Sequence, residues 1–99
     1  MELDKITAAD FMPLVNQPFY FKISPEVSLE AELIEVVVLT TYSPLERTPF
    51  SLTFRTQQRD EYYQQGIFCI EHTELKSLEI FLSPKGFDGT GMRYEAIFS

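Results

Sequence analysis

Leu78-Glu79-Ile80-Phe81-Leu82 and Met92-Arg93-Tyr94-Glu95-Ala96-Ile97-Phe98 decide how this chain is read. In the first run Leu78, Ile80 and Leu82 alternate with Glu79 and Phe81. In the second, Met92, Tyr94, Ala96 and Phe98 alternate with Arg93, Glu95 and Ile97. A period of two puts successive side chains on opposite faces of a strand, so each run predicts a half-buried member of an antiparallel sheet. Between them, Ser83 to Gly91 holds three of the four glycines and one proline, and reads as a loop.

The same period appears upstream. Phe19, Phe21 and Ile23 alternate with Tyr20 and Lys22, and Ser24-Pro25-Glu26-Val27 is turn chemistry leading into a second arm. That arm begins with Leu29, Ala31 and Leu33 on one side, then breaks step at Leu33-Ile34, after which Val36 and Val38 carry the apolar phase. A β-bulge near Ile34 accounts for the slip, since otherwise every later side chain would face the wrong way. Thr40 to Pro49 is polar with two prolines and reads as a loop.

A third strand follows from Phe50, Leu52 and Phe54 alternating with Ser51, Thr53 and Arg55. Thr56 to Gln65 is polar and predicts an exposed hairpin tip, with Tyr62 and Tyr63 as possible contacts. Gly66 opens a fourth strand with Phe68, Ile70 and His72 on one face and Ile67, Cys69 and Glu71 on the other. Thr73 to Ser77 turns the chain into the fifth. At the start, Thr7-Ala8-Ala9-Asp10 resembles a capping box, with Ile6 and Phe11 placed as a hydrophobic staple. Pro13 limits that helix, which ends near Val15.

The expectation is therefore a single domain over residues 1–99, mainly β: an antiparallel meander of about six strands forming a small barrel, roll or sandwich, with one short N-terminal helix. Parallel pairing would need crossovers for which the chain has no room. With 44% hydrophobic residues and nine Phe, the chain can build a core.

A formal charge of -7, from 15 acidic and 8 basic residues, argues against nucleic acid or an anionic membrane as partner. The acidity is uneven, with four Glu and no cation from Glu26 to Glu35. This face keeps the protein soluble or steers a basic partner. Cys69 is the single cysteine, Met1 to Lys5 lacks a secretory signal, and no apolar run has the roughly 18 residues a membrane helix needs, so a cytoplasmic protein is expected.

Chemistry has few places to sit. His72 is the only histidine, next to Glu71 and near Glu74, but neighbours on a strand face opposite ways, so Glu71 is poorly placed to orient it. A histidine at a strand end, hydrogen-bonded to backbone, is the plainer reading. Cys69 and His72 lie on opposite faces, which spoils a nucleophile–base pair. One His and one Cys are a poor metal set, and no cofactor is expected. Gly86 to Gly91 lacks the Lys-Ser/Thr ending of a phosphate loop.

The outward faces say more. Alternation sets Ile67, Phe81 and Ile97, with Tyr20 as a further candidate, away from the core, where they need a cover. Phe11 and Leu14 of the helix could supply it; otherwise a protein partner or a second copy would.

Pro49-Phe50-Ser51-Leu52-Thr53-Phe54-Arg55, Ile70-Glu71-His72-Thr73-Glu74-Leu75, and Phe81-Leu82-Ser83-Pro84 through Met92–Phe98 resemble a family of short bacterial proteins of unknown function. Asp10-Phe11 ahead of Leu14-Val15, then Gln17 and Phe19, are similar too. Members of that family are sometimes found near proteins with phage tail-collar-like domains, and the resemblance implies a tail-like or surface assembly. It carries no catalytic residues: Cys69 stands where a charged residue is commoner and Thr73 where Pro is expected. The function expected is a non-enzymatic interaction or assembly module. The alternatives are a small-ligand-binding β-barrel and, behind it, a hydrolase using His72.

Overall fold

A computed structural model describes residues 6–39 and 48–98 of the chain. Six antiparallel strands, β1 (Pro18–Ser24), β2 (Val27–Val38), β3 (Phe50–Thr56), β4 (Gly66–His72), β5 (Lys76–Phe87) and β6 (Met92–Phe98), close into a small barrel, preceded by the helix α1 (Ala8–Phe11) and a 3-10 turn over Met12–Leu14. Of the three architectures the alternation allows, the barrel is realised. Most of the loop read over Thr40 to Pro49 lies outside the described residues; at its margins the Leu39 N–H donates to the Pro49 carbonyl at 2.8 Å.

Parity decides the inside. Phe19 and Phe21 of β1, Ala31 and Leu33 of β2, Phe50, Leu52 and Phe54 of β3, Ile80 and Leu82 of β5, and Tyr94, Ala96 and Phe98 of β6 are buried. The β2 pairing with β3 slips between Leu33↔Phe54 and Glu35↔Thr53, which leaves Ile34 as the extra residue of a bulge. After it Val36 pairs with Leu52 and Val38 with Phe50, but only Val36 is half-buried, and Val38, at the strand end, is 44% exposed. The break in the sequence pattern and the break in the ladder are one event.

Two features differ from the sequence expectation. Around the barrel the order is β1-β2-β3-β6-β5-β4, so β3 and β4 are not neighbours. The chain instead forms two three-stranded meanders joined so that β4 lies beside β1, the four-strand arrangement of a Greek key. Thr56 to Gln65 is accordingly a connection between separated strands and not a hairpin tip. The ring closes through Tyr20↔Glu71, Phe21↔Ile70 and Lys22↔Cys69 between β1 and β4.

Secondly, the loop expected from Ser83 is shorter. β5 runs on through Pro84 to Phe87, and its register with β6 slips between Pro84 and Gly86, where Gly86 has φ 120°. A bulge is one of the few places in a sheet that tolerate proline. The turn itself is closed by the Asp88 carboxylate, whose Oδ1 accepts the Thr90 and Gly91 N–H groups at 2.9 and 3.0 Å.

The two ends of the barrel are sealed differently. At one, Asp10 Oδ2 accepts the Thr7 N–H at 2.8 Å and completes the capping box, and Phe11 enters the core 6.0 Å from Phe50 and 6.1 Å from Phe98. The Asn16 N–H to Leu33 carbonyl and Leu33 N–H to Gln17 carbonyl bonds tie this segment to β2. Across the other end runs the β3–β4 connection. Tyr94 fastens it, its hydroxyl donating to Gln58 Oε1 at 2.7 Å and accepting the Tyr63 N–H at 3.0 Å.

Candidate interaction surface

On β4 and β5, Ile67 and Phe81 are direct register partners, and both point away from the core. They are 72% and 53% exposed. On β6, the next strand round the barrel, Ile97 is 65% exposed; it lies two residues beyond Glu95, where the β5–β6 ladder ends at Ser83↔Glu95. Ile97 pairs with Ser51 of β3, which is buried, and Ser51 with Val37 of β2, 38% exposed. The outer surface thus carries an exposed apolar pair on β4 and β5, with Ile97 on β6 and Val37 on β2 exposed beyond it and Ser51 between these two buried.

The helix does not cover it. Phe11 and Leu14 are buried in the barrel core, so the intramolecular cover expected from the sequence is spent elsewhere. Val37 was missed by the sequence reading because attention to the phase after the bulge picked Val36 and Val38 for the core. Its signal was available: it is the apolar residue left on the outward side of β2 once the bulge is placed.

The other aromatic candidates stand apart from these residues. Tyr20 pairs with Glu71, four residues along β4 from Ile67 and so about 13 Å away at strand spacing. Tyr62 and Tyr63 belong to the connection over the barrel end, where Tyr62 meets Phe87 edge-on at 6.4 Å and Tyr63 meets Phe68 at 6.3 Å. They pack there on Phe87, itself exposed, and on the half-buried Phe68.

His72 is buried at the end of β4, its ring 4.6 Å from that of Phe19 at a 34° tilt. Its Nδ1 accepts the Glu74 N–H at 3.0 Å, which leaves the proton on Nε2 to be donated to Gln17 Oε1 at 2.9 Å. Both ring nitrogens are thereby engaged in holding the β4–β5 turn and the segment before β1. A surface recess of about 380 Å³ lies beside it, lined by Tyr20, Glu71, Thr73, Lys76 and Ser77 as well as the imidazole edge.

Charge collects at the β5–β6 turn. Asp88 Oδ2 is 3.3 Å from Arg55 Nη1 and 4.0 Å from Arg93 Nε, and Arg55 also reaches Glu32 at 3.7 Å. The Thr90 and Gly91 N–H groups, followed by Arg55, hold the Asp88 carboxyl below its ordinary range. Burial raises the Tyr94 phenol above its ordinary range, in keeping with a hydroxyl that stays protonated and donates to Gln58.

Fold and surface together define a small closed Greek-key β-barrel whose interior is filled and whose outer wall exposes Ile67, Phe81 and Ile97. Residues 6–98 match the domain of unknown function DUF6916, and the chain belongs to that family. No curated protein and no solved structure matches it.

Proposed function

We propose that this domain is a non-enzymatic protein–protein interaction or assembly module that docks through the band formed by Ile67, Phe81 and Ile97. The observation that carries this reading is their exposure, at 72%, 53% and 65%, on adjacent strands of a barrel whose core is already complete without them. Exposed apolar side chains grouped on neighbouring strands support such a reading.

The ligand-binding alternative is weaker. A ring of about eight strands is just wide enough for side chains to fill, and six make a narrower one. Here Phe19, Phe21, Phe54 and Tyr94 already meet at its centre, with centroid separations of 5.2 to 5.7 Å. Hydrolysis through His72 would first require the imidazole to give up a bond to Gln17 or to the Glu74 N–H. The recess beside it would be the place to look.

The finer setting, a phage-tail-like assembly in the cytoplasm of a bacterial cell, rests on the family resemblance and on the lone Cys69. No helix among the described residues is long and apolar enough to cross a membrane. Size-exclusion chromatography with light scattering, and a pull-down, test the reading on the wild type and on Phe81→Ser. Self-association or partner capture that Phe81→Ser abolishes supports it. A monomer that captures nothing, or capture indifferent to the substitution, overturns it.

A further inference from the structure

Resting on that reading, we propose that partners dock at the parted seam between β5 and β6, by adding an extended segment to β5 as a further strand with a Lys or Arg opposite Glu79. β5 has two halves. Lys76 to Leu82 pairs with β4, whereas the ladder to β6 takes up only Ser83 to Phe87. His72↔Lys76 closes the β4–β5 hairpin as a hydrogen-bonded pair, and bonding alternates from there. Leu78, Ile80 and Leu82 therefore bond β4, while Ser77, Glu79 and Phe81 turn their N–H and C=O groups to the opposite side. Ser83 is in phase with these three and meets Glu95. Nothing meets the three before it: among the described residues no strand pairs with them on that side, and no backbone bond from a turn or loop reaches them.

Three N–H and three C=O groups thus lie open along about 14 Å of strand, at residues whose side chains are exposed. An unpaired row of this kind is a template for an incoming strand. Phe81 and Ile97 stand exposed on the two lips of the seam, so an added strand would meet the same side chains that the interaction reading invokes. Glu79 sets the partner. A second copy could pair all three residues only in the register that puts Glu79 against Glu79, on chains of formal charge -7. A cationic residue in a foreign segment meets no such repulsion. Among the described residues Glu79 has no ion pair, Lys85 being held by Glu95 at 3.6 Å. Lys22 lies beyond Cys69, two strands and about 10 Å from Glu79.

The test uses the full isotope-labelled chain, amide hydrogen exchange, and the peptide Thr-Leu-Thr-Lys-Thr-Leu-Thr with two variants. One is N-methylated at both Leu and at Lys, which keeps the side chains and removes the donors; the other has Glu in place of Lys. In the free chain the amides of Ser77, Glu79 and Phe81 are expected to exchange at least about tenfold faster than those of Leu78, Ile80 and Leu82. The parent peptide should slow those three, and each variant should bind at least about tenfold more weakly. Glu79→Lys, altered only at an exposed position, should reverse the preference between the Lys and Glu peptides. Even protection along β5 in the free chain, no binding of the parent peptide, or binding indifferent to N-methylation or to Glu79→Lys overturns the proposal. Protection of the three amides that grows with protein concentration alone would make a second copy the occupant, and overturns it too. Each of these outcomes leaves the interaction-module reading standing, which falls only if the wild type associates with nothing or Phe81→Ser leaves its association unchanged.

Discussion

Gly91 is the residue with least freedom to change. It opens β6 where that strand crosses the end of β3, and a Cβ built on it would overlap the Thr56 carbonyl. Here the requirement is space for a neighbouring backbone. Gly91→Ala should therefore destabilise the fold by about 1–3 kcal/mol, the usual range for overpacking, as read from urea midpoints. Nothing lies near the Cβ position of Gly66, so Gly66→Ala serves as the comparison. Asp88, at the same turn, makes a prediction in pH. Its carboxyl is held below its ordinary value of 3.8 by the Thr90 and Gly91 N–H groups and by Arg55. Because the folded value is the lower one, its contribution is fully present above about 3.8 and is lost as pH falls through the depressed value. Urea unfolding of Asp88→Asn against wild type from neutral to acid pH should show a stability gap that closes in that acid window. A gap constant across the range would contradict this assignment.

At the scale of elements, the short helix matters through one side chain. α1 spans four residues, too few to be stable by themselves, and it persists because the capping box fixes its start and Phe11 anchors it in the barrel mouth. Phe50 and Phe98 stack at 4.7 Å and 3°, and Phe11 closes over both. Phe11→Ala should lose about 3–5 kcal/mol, most of what a domain of this size has to spare. Chemical denaturation measures it, and a loss below about 1 kcal/mol would mean the helix is not the plug described here. The connection at the opposite end depends on Tyr94, which donates to Gln58 and accepts from Tyr63. Tyr94→Phe keeps the ring in the core and removes both bonds. A loss of about 1–2 kcal/mol is expected, with amide exchange speeding up at Tyr63 ahead of the strands.

For the molecule as a whole, the inner and outer surfaces of the barrel answer to different demands. The inside is packed with aromatic rings and closed at both ends, so its side chains set stability. The outside band adds little to the fold, since its residues are still largely in water. Phe81→Ser should change unfolding free energy by less than about 1 kcal/mol, the scale of strand propensity and surface effects, while abolishing association. Thermal or urea unfolding run beside light scattering separates the two. A large loss of stability would mean that Phe81 belongs to the core, and the docking surface with it.

Side-chain parity was legible in the letters: the strands of both meanders, the bulge at Ile34, the capping box at Thr7 and Asp10, and the outward set of Ile67, Phe81 and Ile97 all follow from periods of two and their one interruption. These are local properties, set by how successive Cβ atoms point along a pleated backbone. The reach of β5 past Pro84 was not legible, because proline and glycine read as a turn until a neighbouring strand makes them a bulge. Nor was the strand order. Whether Thr56 to Gln65 returns the chain beside β3 or carries it past β6 and β5 depends on which distant strands pair and on Tyr94 waiting to hold the crossing. The destination of Phe11 and Leu14 was equally undecided: the same side chains could cover the outer band or fill the barrel mouth. Only closure of the ring, which opened a cavity at Phe50 and Phe98, drew them inward and left the band bare.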